Sequence, residues 1–254
     1  VLVLSHVRKG MGRIRYFICG GAPLNPEIGK FFHGAGFLLL EGYGLTETSP
    51  VVAWNPPDRP KYGAVGKPLR GTEVKTEPDG ELLVRGPLVM KGYWNKEEAT
   101  KEAFTEDGWF RTGDLAQIDK DGYIRITGRK KELIKTSGGK YVAPRAVEER
   151  LEQSPYVEQA TVFGDARKFI GALIVPRADA LRAKGVSDPA SAEAHALIEA
   201  DVKPRMHDLA DYEHAKKFAL LEKPFSVEDG TLTPTLKIRR KEIEKKYAAV
   251  IEGL

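Results

Sequence analysis

Cysteine is nearly missing from this chain. Cys19 stands alone among 254 residues, which excludes an internal disulfide and any cysteine-based metal framework. Long apolar runs are missing too: nothing approaches the ~18–20 residues needed to cross a bilayer, and Val1–Leu4 is too short for the apolar region of a signal peptide. A dominant charge is also lacking. The formal net charge of +4 is too small to argue for a nucleic-acid partner. The basic run Lys237-Ile-Arg-Arg-Lys241 is followed by acids and further lysines at helical spacing, the pattern of a solvated helix face. There is no internal repeat and no low-complexity segment. These negatives favour a cytoplasmic protein with no transmembrane segment and no nucleic-acid partner. The chain opens without Met and in mid-pattern, as a fragment would.

What is present is an ordinary globular composition, 41% hydrophobic and 30% charged, in a length that suits one large or two ordinary domains. Residues 1–12 read as the end of a helix, Ile14–Cys19 and Phe37–Leu40 as short buried strands. Between them, Pro23–Gly34 has helical spacing, with Asn25 as N-cap and Pro26 at the first helical position. From Val51 to Arg129 strands are short and turns rich in Gly and Pro, with one helix near Lys96–Ala103. Asp79-Gly80 and Asp121-Gly122 sit between apolar runs as hairpin turns. This section reads as a β-barrel-like subdomain.

After Lys131 the pattern turns mixed. A strand at Leu133–Lys135, a glycine turn at Gly138-Gly139 and a helix at Pro144–Gln153 precede two alternating strands, Val157–Phe163 and Ile170–Val175. Helices are expected over Ala178–Lys184 and Ala190–Lys217, a short strand over Lys217–Leu221, and a final amphipathic helix over Ile238–Ile251. The composition switch places a domain boundary at Lys130–Glu132.

Several short segments carry chemistry. In Glu41-Gly-Tyr-Gly-Leu-Thr-Glu-Thr48 the glycines Gly42 and Gly44 let backbone approach a ligand. Tyr43 offers a flat face, Thr46 a hydroxyl and Glu47 a hard oxygen ligand. Magnesium at phosphate sites needs only one or two carboxylates beside the substrate's own oxygens. Thr112-Gly113-Asp114 sets a carboxylate after a tight turn, able to accept from both hydroxyls of a ribose. Gly128-Arg129 returns a guanidinium to the same end through the hairpin. Taken singly, each has an ordinary structural explanation: a strand-to-loop turn, a turn-capping Asp, a surface lysine at Lys131 or Lys237, a plain hairpin at Ser137-Gly138-Gly139.

Their order is more specific. GYGLTETSP, with the upstream Gly20-Gly21-Ala22-Pro23-Leu24, the TGD at Thr112–Asp114, the Gly128-Arg129 pair and Leu232-Thr-Pro-Thr-Leu-Lys-Ile-Arg239, resembles the adenylate-forming superfamily of acyl-CoA synthetases, luciferase-like enzymes and peptide-synthetase adenylation domains. Within it, GGKYVAP and KPFSVEDGTLTPTLKIRRK look most like the C-terminal part of a bacterial long-chain fatty acid–CoA ligase. The implied fold is multi-domain α+β. Residues 1–130 would be the end of the large AMP-binding domain, with an α/β piece at 1–50 and the barrel-like subdomain at 51–130; residues 131–254 would be a small mobile C-terminal domain.

The resemblance also implies roles. Gly21, Ala22, Gly42, Tyr43, Gly44 and Thr46 would line the ATP/AMP site, Glu47 would hold Mg²⁺, and Asp114 with Arg129 would hold the ribose. Lys131 would be the hinge. Gly138 and Gly139 would pass close to the pantetheine arm of CoA, and Lys237 would reach the α-phosphate and acyl carboxylate. The substrates implied are a fatty acid, ATP and CoA. One departure is serious: no TSGTTGxPKG-like phosphate loop occurs upstream of GGAPL, so this chain is expected to be inactive alone. A non-catalytic nucleotide- or partner-binding module remains an alternative, as does an enzyme using another acid or a carrier-protein acceptor. Peripheral membrane association and a homodimer stay open.

Overall fold

A computed structural model describes residues 2–254, with side chains from His6 onward; Val1 lies outside the described residues. The chain divides into two compact units, Val1–Lys131 and Glu132–Leu254.

The first unit opens with helix α1 (Leu2–Gly10), strand β1 (Tyr16–Cys19), helix α2 (Pro26–Gly34) and strand β2 (Leu38–Tyr43). β1 and β2 pair in parallel, Tyr16 opposite Leu38 and Cys19 opposite Glu41, with α2 as the crossover. The start of α2 is fixed locally: Asn25 Oδ1 accepts from the Glu27 amide at 2.9 Å, and Pro26 at the first position has no amide to leave unpaired. β2 runs further than the sequence suggests. Glu41, Gly42 and Tyr43 were expected beyond the strand end, yet Gly42 pairs with Trp54 and Tyr43 with Ala53. The extension exists because β3 (Ala53–Trp54) folds back onto them, and β4 (Lys67–Pro68) completes a mixed sheet in the order β1-β2-β3-β4. Local pattern does not reveal such a tertiary partner.

The rest of this unit is an antiparallel meander of β5 (Glu73–Thr76), β6 (Glu81–Arg85), β7 (Phe110–Ile118) and β8 (Ile124–Arg129), with helix α3 (Glu97–Ala103) between β6 and β7. Register shifts at Glu81/Leu83 and Leu115/Ala116 increase local twist, so the sheet curls into half a barrel and stays open. Val52, Ala53, Leu82, Val84, Ala116 and Ile124 form its core.

The second unit begins with a hairpin of β9 (Ile134–Lys135) and β10 (Tyr141–Val142), then α4 (Pro144–Glu152), β11 (Val157–Phe163), β12 (Ile170–Pro176), α5 (Ala178–Arg182), α6 (Ala192–Arg205), β13 (Ala215–Leu220), α7 (Arg240–Lys246) and α8 (Ala248–Glu252). β12 is central, antiparallel to β11 and parallel to β13. Every residue of β12 is buried, because alternate side chains enter two cores. Ala172 and Ile174 meet Val147, Leu151 and Ile198 on one face. Leu173 and Val175 meet Phe225, Ile243 and Ile251 on the other.

Two helical expectations needed correction. The helix expected over Ala190–Lys217 stops at Arg205, since Pro204 supplies no amide for the i−4 bond, and Ala215–Leu220 is a strand recruited by β12. The helix expected over Ile238–Ile251 starts at Arg240 and breaks at Tyr247, whose φ of −105° and ψ of 22° are not helical.

Candidate active site

Tyr43, Asp114 and Arg129 come together. Asp114 and Arg129 are direct cross-strand partners on β7 and β8. The Arg129 Nε donates to Asp114 Oδ1 at 2.8 Å, and Tyr43 Oη donates to Asp114 Oδ2 at 2.5 Å. Asp114 is only 4% exposed, while the Arg129 side chain is 57% exposed. Burial, followed by the charge of Asp114, pushes the Tyr43 phenol far above its ordinary range, so the hydroxyl remains a donor at any physiological pH. The sequence suggests an aromatic face at Tyr43; the structure adds a hydroxyl that orients the carboxylate.

The tight turn expected at Gly113-Asp114 is instead part of β7, and the strand around Asp114 is pinned by its neighbours. Gly113 sits at φ 71°, a region that favours glycine, and its amide donates to Glu81 Oε1 at 3.1 Å. Thr112 Oγ1 accepts from the Asp114 amide at 3.1 Å and donates to Leu82 O at 2.7 Å. Glu81 is 3% exposed. Its Oε2 accepts from Lys130 Nζ at 2.8 Å, and the same ammonium meets Asp79 Oδ2 at 2.6 Å. Lys130 holds Asp79 below the usual carboxylate range. Sequence reasoning missed Asp79, Glu81 and Lys130 as a group. The only signal was an acid on each side of the Gly80 turn with a lysine directly after Arg129.

The glycine-rich segment is arranged beside this cluster. Thr46–Thr48 forms one 3₁₀ turn, with Thr46 exposed and Glu47 half-buried. Tyr93 Oη donates to Glu47 Oε1 at 3.0 Å, and the Glu47 carbonyl accepts from the Met90 amide at 2.7 Å. Tyr93 is a further residue the sequence did not single out. Glu47 is a hard oxygen donor held in one orientation, which fits Mg²⁺. Among the described residues no group of three or more His, Cys, Asp or Glu could hold a metal by itself. Gly21 and Ala22 are exposed in the loop after β1, before Leu24, whose amide donates to Glu41 Oε1 at 3.2 Å.

Lys131 is exposed, the last residue of the first unit, within a 3₁₀ turn spanning Lys130–Glu132. Gly138 and Gly139 lie in the second unit, in the β9–β10 turn closed by the Gly139 amide on Thr136 O at 2.9 Å. Lys237 is exposed on a separate hairpin of that unit.

Comparison with known proteins defines the class. The family model described as AMP-binding enzyme matches residues 3–94, and the AMP-binding enzyme C-terminal domain matches residues 131–254. The chain therefore belongs to the AMP-binding, adenylate-forming enzyme family. It is 44% identical over 265 residues to "Long-chain-fatty-acid--CoA ligase FadD15" of Mycobacterium tuberculosis, covering 100% of this chain and 44% of that protein. It is 33% identical over 275 residues to "Long-chain-fatty-acid--[acyl-carrier-protein] ligase AEE15, chloroplastic" of Arabidopsis thaliana, covering 100% of this chain and 37% of that one. Among solved structures, the A-PCP didomain of carboxylic acid reductase from Segniliparus rugosus in complex with AMP superposes with a TM-score of 0.78 at 26% identity, covering 99% of this chain and 36% of that one. The chain thus spans less than half the length of these relatives. Among the described residues no helix is long and apolar enough to cross a membrane.

Proposed function

We propose that this chain is the part of a long-chain fatty acid–CoA ligase that holds the nucleoside and carries the mobile C-terminal domain. The observation that carries the reading is Asp114, a carboxylate oriented by Tyr43 and Arg129 on adjacent strands. Each carboxylate oxygen has two acceptor sites, so both can still accept from a ribose hydroxyl. The relatives named as fatty-acid ligases and the AMP-bound neighbour support the same reading.

In the first half-reaction a fatty carboxylate oxygen attacks the α-phosphorus of ATP, the bond to the β-phosphate oxygen breaks, and pyrophosphate leaves. Asp114 and Arg129 hold the ribose, and the Tyr43 ring and the Gly21-Ala22 and Gly42–Gly44 backbone line the adenine and acyl side. Thr46 meets phosphate oxygens. Mg²⁺, held by Glu47 together with nucleotide oxygens, would offset phosphate charge. Lys237 supplies a cation for the α-phosphate and acyl carboxylate, where negative charge concentrates. In the second half-reaction the CoA thiolate attacks the acyl carbonyl and AMP leaves. Gly138 and Gly139 give the pantetheine arm room, and rotation at Lys131 exchanges the two arrangements.

The test is a full-length enzyme containing this sequence, assayed for each half-reaction. Lys237→Ala should lower adenylation about 10²–10³-fold while thioester formation from supplied acyl-AMP survives. Equal loss of both would refute the division of roles. The acceptor has a second reading, a carrier-bound phosphopantetheine, favoured by the name of the Arabidopsis relative; turnover with acyl-carrier protein but not free CoA would establish it. Submicromolar AMP binding by the 254-residue chain, with no turnover in the full-length enzyme, would favour a binding module instead.

A further inference from the structure

Lys237 sits on a hairpin that has almost nothing to lean on. Leu232 and Ile238 bridge its base, and Pro234, Thr235, Leu236 and Lys237 are exposed, Leu236 by 71%. The hairpin is shaped internally. Thr233 N donates to Lys237 O at 2.8 Å, Lys237 N donates to Thr233 Oγ1 at 3.0 Å, and Thr233 and Thr235 share a hydroxyl contact of 3.0 Å. Leu236 takes a φ of 60°, unusual for a residue with a side chain. Internal bonds define the shape of such a loop; its direction depends on how its ends are fixed.

One end is fixed by an ion pair 92 residues apart in sequence. Arg240, three residues after Lys237, opens α7 and turns inward rather than lying on the solvated face its basic neighbours suggest; its side chain is 18% exposed. Its Nη1 donates to Glu148 Oε1 on α4 at 2.6 Å, to Thr161 Oγ1 on β11 at 2.8 Å and to Val162 O at 2.7 Å. Glu148 is 1% exposed, and the same Oε1 accepts from the Val162 amide at 3.0 Å. The Arg239 amide donates to Thr231 O at 2.9 Å, tying this anchor to the other arm of the hairpin.

We propose that Arg240 and Glu148 are positioning residues: they clamp the C-terminal arm of the Lys237 hairpin to α4 and β11, and so aim the ammonium for adenylation. The proposal rests on the role given to Lys237 above. A buried ion pair is often replaceable by apolar residues without loss of stability. What such a replacement loses is the fixed geometry, and misplacing a reacting group by about 1 Å costs on the order of 10²-fold in rate. The clamp therefore belongs to the first half-reaction and should leave the second alone.

The experiment has two arms. In a full-length enzyme, Arg240→Met and the paired Glu148→Met/Arg240→Met replacement, which restores an apolar contact, are measured for both half-reactions. Adenylation kcat should fall about 10–10²-fold with the KM for ATP and thioester formation from supplied acyl-AMP nearly unchanged, and Arg240→Lys should recover part of the loss. In the 254-residue chain, hydrogen exchange of the Leu236 and Lys237 amides should rise about tenfold or more in the paired variant, with the β12 amides unchanged. Parallel loss of both half-reactions, or unchanged exchange in the hairpin, overturns the clamp. If Lys237→Ala itself spares adenylation, the reading of Lys237 fails, and hairpin exchange still decides whether Arg240 and Glu148 hold the loop.

Discussion

Replacing Asp114 with Ala separates a structural role from a ligand-binding one. The substitution removes the acceptor of Tyr43 Oη and of Arg129 Nε together. Tyr43 is half-buried, so its orphaned hydroxyl should cost roughly 1–3 kcal/mol. The Arg129 side chain is 57% exposed and rehydrates, adding under about 1 kcal/mol. A stability loss near 2 kcal/mol should lower the melting temperature of the first unit by roughly 5–15 °C. If Asp114 holds the ribose as proposed, the substitution removes two hydrogen bonds to a charged acceptor, each worth about 1.5–3 kcal/mol, so AMP affinity should fall by about 10²-fold or more. Calorimetry with AMP on a full-length enzyme, beside a thermal melt, measures both. Tyr43→Phe is the control: it keeps the ring and drops the hydroxyl, so it should reproduce much of the stability loss and little of the affinity loss. If Asp114→Ala melts early yet binds AMP within threefold of the parent, Asp114 serves the fold and the nucleotide reading is wrong.

Other perturbations test other parts of the site. A Cβ at Gly44 would lie 1.6 Å from Pro50 O, a backbone atom that cannot step aside, so Gly44→Ala should cost about 1–3 kcal/mol in urea denaturation and disturb the Thr46–Thr48 turn. Tyr93→Phe releases the orientation of Glu47 and should raise the Mg²⁺ concentration needed for pyrophosphate exchange about tenfold; an unchanged titration would show that Tyr93 does not position Glu47 for the metal. Lys246 and then Thr231 hold the Asp229 carboxyl below its ordinary value of 3.8. A depressed carboxyl stabilises the fold above its unfolded-state value and loses that contribution as pH falls toward the folded-state one. Asp229→Asn should therefore lower the urea midpoint at pH 7, and the gap to the parent should narrow progressively below about pH 4.

Much of the second unit was readable because its signals are local. Val157–Phe163 and Ile170–Val175 carry enough apolar alternation to declare two strands, and Pro144 sits at the first position of α4 as its sequence context suggests. The strand expected over Lys217–Leu221 is there, but its start at Ala215 was not readable: Phe218 is its only buried residue, and what draws the start of AKKFAL into the strand is the parallel edge of β12. The same holds in the first unit, where β3 extends β2 through Gly42 and Tyr43. In the site, Asp114 and Arg129 could be placed together because a turn at Asp119–Gly122 folds the intervening chain back on itself. Glu81 with Lys130, and Glu148 with Arg240, could not, since residues 49 and 92 positions apart meet only after the sheets have formed.

The pairing of Asp114 with Arg129 on β7 and β8 gives this site a reading frame. Side chains on a strand alternate faces, so slipping one strand by a single residue would send Arg129 to the opposite side of the sheet from Asp114. The turn at Asp119–Gly122 helps set that register, Asp119 Oδ1 accepting from the Asp121 and Tyr123 amides at 2.9 Å, and any odd-numbered insertion within Leu115–Ile118 or Ile124–Gly128 separates carboxylate from guanidinium unless a bulge absorbs it. The shift already present at Leu115/Ala116 shows such an absorption in place. A graft of this carboxylate–guanidinium pair onto another sheet would have to carry that irregularity along with the two charged residues.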